Sequence, residues 1–267
     1  MKIPAIQGNK ITADVCVFVA ADENYFNAYA KPLINSVRKN LPHAIHLHLY
    51  NPSEQTKQWC NDNQVGYSFE IFDESTLEPS FNRWKGPQTD PESIRKKGHM
   101  LKDLNDMVRL KNEIRKTYFA CTRFIRLAEL LSKPTYIIML DTDSLVRNNF
   151  VLPSNTADIH IFEKKHKKHV PYTQHLASTI FYTGTEGSLQ LIKDHAELIL
   201  QEYNKDELYW FLDQDTLDVA IQKYIKKPLS VQLVDFDMND SSPIWCAKGP
   251  RKFKDRFLNE VKKYQPK

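Results

Sequence analysis

Asp141 and Asp143 stand one residue apart, directly behind the apolar run Tyr136-Ile137-Ile138-Met139-Leu140. Strand side chains alternate with period two, so both carboxylates can point the same way where such a run frays into a loop. In open α/β folds that carboxyl edge of the sheet is where ligands sit. Two neighbouring carboxylates repel unless a cation or proton lies between them, and a hard divalent ion, Mn²⁺ or Mg²⁺, suits all-oxygen ligation. Such an ion would clamp a diphosphate. The plain alternative is an Asp-x-Asp that merely turns the chain.

Other segments carry groups of compatible chemistry. Ala20-Ala21-Asp22-Glu23-Asn24-Tyr25 follows an apolar run of strand length, Arg123 and Arg126 precede the aspartate strand, Asp213-Gln214-Asp215 opens a later helix, and Ala247-Lys248-Gly249 lies near the end. Read alone, Asp22 or Asn24 is a helix cap, Tyr25 a core aromatic and Asp213 an N-cap. Arg123 and Arg126 share a helix face at a spacing of three, so either can reach a diphosphate or sugar, and the other is an exposed ion-pairing arginine.

The elements that must position these groups follow from hydrophobic periodicity. Residues 14–20 read as a strand, 25–38 as a helix, 45–50 as a strand, 53–61 as a short helix and 67–72 as a third strand. That alternation predicts an α/β fold with a mainly parallel central sheet flanked by helices. Residues 73–98, with Pro79, Pro87 and Pro91, read as a long irregular excursion, and 104–131 as helix in two pieces ending before Pro134. Further strands are expected at 159–162, 179–182 and 231–234, and helices at 187–203 and 213–225. The whole chain, 1–267, is expected to form one domain: a nucleotide-binding half (14–150), a donor-sugar and acceptor half (151–250) and a basic terminal helix (251–267). Within it, residues 251–264 set Phe253, Phe257, Leu258 and Val261 on one stripe among six basic residues.

Composition limits the function classes. The net charge of +4 balances 37 basic against 33 acidic residues and gives no indication of nucleic-acid binding. No stretch reaches the roughly 18 apolar residues of a membrane span, and the start has no apolar leader, which predicts a cytoplasmic protein. Cys16, Cys60, Cys121 and Cys246 stand far apart and read as reduced, mostly buried thiols. His160, His166, His169 and His175 surround Lys164, Lys165, Lys167 and Lys168 in what reads as a solvated loop or an acceptor-binding surface.

Taken in order, Ala20 to Tyr25, Met139-Leu140-Asp141-Thr142-Asp143-Ser144-Leu145-Val146 and Leu212-Asp213-Gln214-Asp215-Thr216-Leu217 resemble the retaining family-8 glycosyltransferases of the GT-A fold, the group containing glycogenin and bacterial lipopolysaccharide galactosyltransferases. The resemblance spans residues 15–252. It implies transfer of a hexose from a UDP-sugar to a glycan, lipid-linked or protein hydroxyl, with retention and with Mn²⁺ or Mg²⁺ on Asp141 and Asp143. Asp22, Asn24 and Tyr25 would hold base and ribose, Ala20 and Thr142 would line the donor, and Arg123, or else Arg126, would contact it. Asp213 would bind sugar hydroxyls, Gln214 would stand beside the anomeric carbon, and Lys248 and Gly249 would meet the diphosphate. Many relatives carry a histidine just before this last segment as a third metal ligand. Here the stretch is Ile244-Trp245-Cys246-Ala247-Lys248, which leaves weaker metal binding, a water or another ligand open. The basic terminal helix can dock on the domain or touch an anionic membrane. Two rival readings are a haloacid-dehalogenase-type phosphatase, in which Asp141 would be the nucleophile, and a sugar-nucleotide or glycan-binding protein without turnover.

Overall fold

The computed structural model describes residues 1–100, 106–163, 175–223, 229–230, 233–235, 238, 241–247 and 249–265. Its first strands are β1 (Gln7–Gly8), β2 (Val15–Asp22), β3 (Ala44–Tyr50), β4 (Gly66–Glu70), β5 (Tyr136–Leu140) and β6 (Ser144–Val146). Then come β7 (Ile159–Glu163), β8 (His175–Thr183), β9 (Leu229–Ser230), β10 (Val234–Asp235) and β11 (Ile244–Cys246). The α-helices are α1 (Glu23–Tyr25), α2 (Lys31–Asn40), α3 (Glu54–Asp62), α4 (Glu78–Lys85), α5 (Pro91–Met100), α6 (Met107–Leu130), α7 (Glu186–Asn204), α8 (Leu212–Gln222) and α9 (Asp255–Lys262).

Eight strands form one sheet in the order β1-β4-β3-β2-β5-β8-β7-β9, and β10-β11-β6 form a smaller one. The run β4-β3-β2-β5 is parallel, as the alternation predicts, whereas β8 is antiparallel to both β5 and β7. From β2 the chain winds outward through β3 and β4, then returns to the other side of β2 with β5. The carboxyl ends of β2 and β5 therefore flank a topological switch point, where α/β sheets open a crevice for ligands.

Strand alternation divides the core. Cys16, Phe18, Ile137 and Met139 pack on one face with Leu110, Ile114, Tyr118, Cys121 and Ile125 of α6. Val17, Val19, Ile138 and Leu140 pack on the other with Leu33, Ile34 and Val37 of α2. Each such side chain, fully buried, contributes about 1.5–3 kcal/mol. The same parity fixes the functional direction: Asp141 continues the 137, 139 series toward α6, and Thr142 turns toward the opposite side.

Several expectations are corrected. The supposed irregular excursion contains α4, α5 and a short 3₁₀ turn, and Trp84 and Met100 are fully buried in the α6 core. Pro79 and Pro91 lie in the first turns of helices, where proline's missing N–H costs nothing, so they mark starts rather than breaks. The described helix from Met107 to Leu130 is continuous rather than in two pieces. The terminal segment is a 3₁₀ turn (Gly249–Phe253) followed by α9. Phe257, Val261 and Tyr264 are buried, while Phe253 is 67% and Leu258 36% exposed, so both fall outside the buried stripe.

Candidate active site

The aspartate turn is held by backbone. Asp141 N–H donates to the Ser178 carbonyl (2.8 Å) on β8, and Ser144 N–H donates back to the Asp141 carbonyl (3.1 Å). Thr142 Oγ1 donates to the Ala20 carbonyl (2.6 Å), tying the turn to the end of β2. From the far end of the chain, β11 pairs antiparallel with β6, setting Cys246 opposite Ser144, and Ala247 N–H donates to the Asp143 carbonyl (3.0 Å). One carboxylate oxygen each from Asp141 and Asp143 and the Cys246 sulfur consequently lie within 4.8 Å of one another.

Each aspartate has its own cation. Arg123, from α6, pairs with Asp141 and also reaches Asp213 Oδ2 (3.4 Å) and the Ala177 carbonyl (3.1 Å). Burial disfavours its charge, but Asp141 and Asp213 outweigh that, and its pKa is raised. Lys252 donates to Asp143 Oδ2 (3.1 Å) and to the Tyr25 hydroxyl (2.6 Å), with its ammonium 4.8 Å from the centre of the Tyr25 ring. Burial first, and the Asp141 charge second, push the Asp143 carboxyl up to about 6 against the pull of Lys252. A half-buried carboxylate pair under such repulsion fits a divalent cation, and two oxygens with one sulfur form a mixed hard and soft donor set.

The two arginines part company. Arg126 is buried, donating through Nε to Glu70 Oε2 (2.6 Å), through Nη1 to Glu129 (2.7 Å) and through Nη2 to the Pro4 carbonyl (2.6 Å). Glu70 also accepts from Tyr118 Oη (2.6 Å). Arg126 thus ties α6 to the end of β4 and to the amino-terminal segment and is fully engaged there.

At the end of β2, Asp22 does cap a helix, accepting from Tyr25 N–H (2.8 Å), and this leaves the Tyr25 ring 38% exposed over the crevice edge rather than in the core. Asn24 is exposed and Ala20 half-buried beside it. Asp213 is not an N-cap. Phe211 takes that place in a left-handed conformation (φ 80°), and Asp213 sits in the first turn of α8, turned toward Arg123. Gln214 is 6% exposed, and its Oε1 has no hydrogen-bond partner among the described residues. From α7, His195 Nε2 meets the Asp213 carbonyl (3.0 Å) and Thr216 Oγ1 (3.1 Å), fixing the start of the helix. Asp215 points elsewhere, accepting from Tyr209 Oη (2.8 Å), with Arg95 of α5 at 3.6 Å.

No family model matches the sequence, and no curated protein is similar to it in sequence. Among solved structures, the galactosyltransferase LgtC in complex with donor and acceptor sugar analogues gives a TM-score of 0.54 at 12% identity, covering 94% of this chain and 97% of that one. GlyE, a glycosyltransferase of Streptococcus pneumoniae TIGR4, gives 0.55 at 10% identity over 96% of this chain in its apo form, and this chain spans 60% of its length.

The fold is GT-A.

Within the GT-A frame, the carboxyl ends of β2 and β5 bring together Ala20, Asp22, Tyr25, Asp141, Thr142 and Asp143, and Arg123 and Asp213 close one side. Gly249 lies in an exposed turn at φ 58°, a conformation glycine adopts without strain. Lys248 lies outside the described residues. Lys252 was not singled out by sequence reasoning, which placed it in the basic terminal helix. The histidine-rich segment also reads differently: His160 is buried against the Ser154 carbonyl (2.7 Å) and His175 against Asp218 Oδ1 (2.5 Å). His166, His169 and the neighbouring lysines lie outside the described residues. No described helix is long and apolar enough to cross a membrane.

Proposed function

We propose that this protein is a metal-dependent glycosyltransferase that moves a hexose from a UDP-sugar to a hydroxyl acceptor with retention. The observation that carries the reading is the Asp141 and Asp143 carboxylate pair at the GT-A switch point, flanked by Arg123 and Lys252 and edged by the open ring of Tyr25. A divalent cation on the two carboxylates would supply charge neutralisation to the diphosphate leaving group.

The chain's own residues do the rest. Tyr25 offers a face for the uracil ring, with Asp22 and Asn24 beside it for base and ribose and Ala20 and Thr142 lining the donor. Lys252, with Lys248 and the close backbone at Gly249, stabilises charge growing on the leaving phosphate. Arg123 holds Asp213 toward the sugar hydroxyls. Gln214 presents a buried acceptor that has no partner among the described residues, a group suited to steady an electron-poor anomeric carbon. Two routes fit this arrangement: a donor phosphate oxygen takes the acceptor's proton, or the sugar passes through a covalent intermediate on the protein. The acceptor is a glycan, lipid-linked or protein hydroxyl, and exposed Phe253 among basic residues gives a lipid-linked one a surface to meet.

The test is release of UDP from UDP-glucose and UDP-galactose with Mn²⁺, with Mg²⁺ and with chelator. Metal-stimulated release in the wild type and its loss in Asp143→Asn are expected; undiminished release by that variant defeats the reading.

A further inference from the structure

A buried cysteine is ordinarily a small hydrophobe, and three of the four here fit that description. Cys16 and Cys121 belong to the α6 core and Cys60 to the α2 core, and burial pushes the Cys16 thiol up to about 12 and the Cys60 thiol up to about 11. Cys246 also contacts the α2 core, but its sulfur lies within 4.8 Å of a carboxylate oxygen of both Asp141 and Asp143. The placement is imposed by the sheet. The register sets Cys246 against Ser144, the residue after Asp143, and the hydrogen bond from Ala247 N–H to the Asp143 carbonyl locks the two strands at that point. Cys246 is fully buried, and the hydroxyl of its cross-strand partner Ser144 is buried without a hydrogen-bond partner among the described residues. Two carboxylates beside a third, polarisable donor form one face of a coordination sphere rather than an apolar contact.

We propose that Cys246 Sγ is the third protein ligand of the cation held by Asp141 and Asp143, and that the resulting O,O,S set tunes the site toward thiophilic divalent ions, Zn²⁺ and Co²⁺, and away from Mg²⁺. This rests on the assignment of the two aspartates as metal ligands made above. Thiolate ligands favour borderline and soft cations, and for a given site affinity rises from Mn²⁺ through Co²⁺, while Mg²⁺ demands oxygen. Ligation breaks the sulfur–hydrogen bond, leaves its electron pair on sulfur for the metal–sulfur bond, and releases one proton to solvent.

The test uses the full chain, stripped of metal and kept reduced, titrated with Co²⁺ and read by the near-ultraviolet sulfur-to-cobalt charge-transfer band. The expected result is a band saturating at one Co²⁺ per chain. Cys246→Ser should lose it, with Co²⁺ affinity falling roughly tenfold or more, and Cys246→His should retain cobalt binding without the sulfur band. Asp143→Asn should lose the band as well, which assigns it to this cluster rather than to Cys16, Cys60 or Cys121. Stoichiometric Co²⁺ binding by the wild type without a sulfur band overturns the role of Cys246 and leaves the aspartate site standing if Asp143→Asn abolishes binding. Failure of the wild type to bind Co²⁺ or Mn²⁺ overturns both this inference and the metal dependence beneath it. The wild-type spectrum decides the question even if a variant does not fold.

Discussion

Lys252 places its ammonium 3.1 Å from Asp143 Oδ2, joining residues 109 positions apart in the chain. The contact fixes the terminal segment over the crevice and brings the Tyr25 hydroxyl onto the same ammonium at 2.6 Å. Replacing Lys252 with Met should keep the packing of the aliphatic stem and remove the charge. A loss of about tenfold to a hundredfold in kcat/KM for a UDP-sugar is expected, with Lys252→Arg recovering part of it. Steady-state UDP release checks this, and unchanged kinetics in the Met variant would remove Lys252 from the donor site.

Arg123 and Arg126 should separate cleanly by assay. Arg126→Met leaves Glu70 buried without its guanidinium, and breaking a buried pair from one side costs about 3–5 kcal/mol. Its effect should appear in urea unfolding while the folded fraction keeps its specific activity, and adding Glu70→Leu should restore part of the stability. Arg123→Met should instead abolish turnover, because Asp141 and Asp213 lose the group that aims them.

Gln214→Met should raise stability and lower turnover. The buried Oε1 of Gln214 is without a partner among the described residues, and such an acceptor costs about 1–3 kcal/mol. Removing it should raise the urea midpoint, leave UDP affinity within about twofold and cut sugar transfer by about a hundredfold. A coordinate fall in stability and activity would instead mark Gln214 as a packing residue.

His195 and His46 predict an acid limit to stability. Burial is the main cause in both, and it lowers each pKa to about 3, with the His48 charge adding at His46 and the Asp213 carbonyl opposing at His195. The unfolded chain then takes up these protons first, near pH 6.5, so stability is complete above that pH and falls as pH drops toward 3, by up to about 1.4 kcal/mol per unit for each histidine. Urea midpoints at pH 7, 6 and 5 test the slope, and His195→Gln should flatten it.

Much of the frame could be read in the sequence because it is written in uninterrupted apolar runs. Val15 to Ala20 and Tyr136 to Leu140 have no other plausible fate than central strands, and parity along β5 then aims Asp141. The α4 and α5 helices were missed because Pro79 and Pro91 look like breakers until their place in a first turn is known. Spacing on α6 could not tell Arg123 from Arg126, since the choice depends on which strand end lies opposite. Lys252 and Cys246 reach Asp143 only through the pairing of β11 with β6, a long-range contact that local pattern does not encode.

That pairing also sets a schedule. During synthesis the sheet core through β5 emerges well before β11, and closing a loop of this length is slow compared with forming local helices. The carboxylate pair is therefore made early and left without its distal partners until residue 252 has cleared the ribosome. Trimming the chain behind residue 243 would leave most of the large sheet intact and the centre incomplete, which separates folding competence from chemical competence in this molecule.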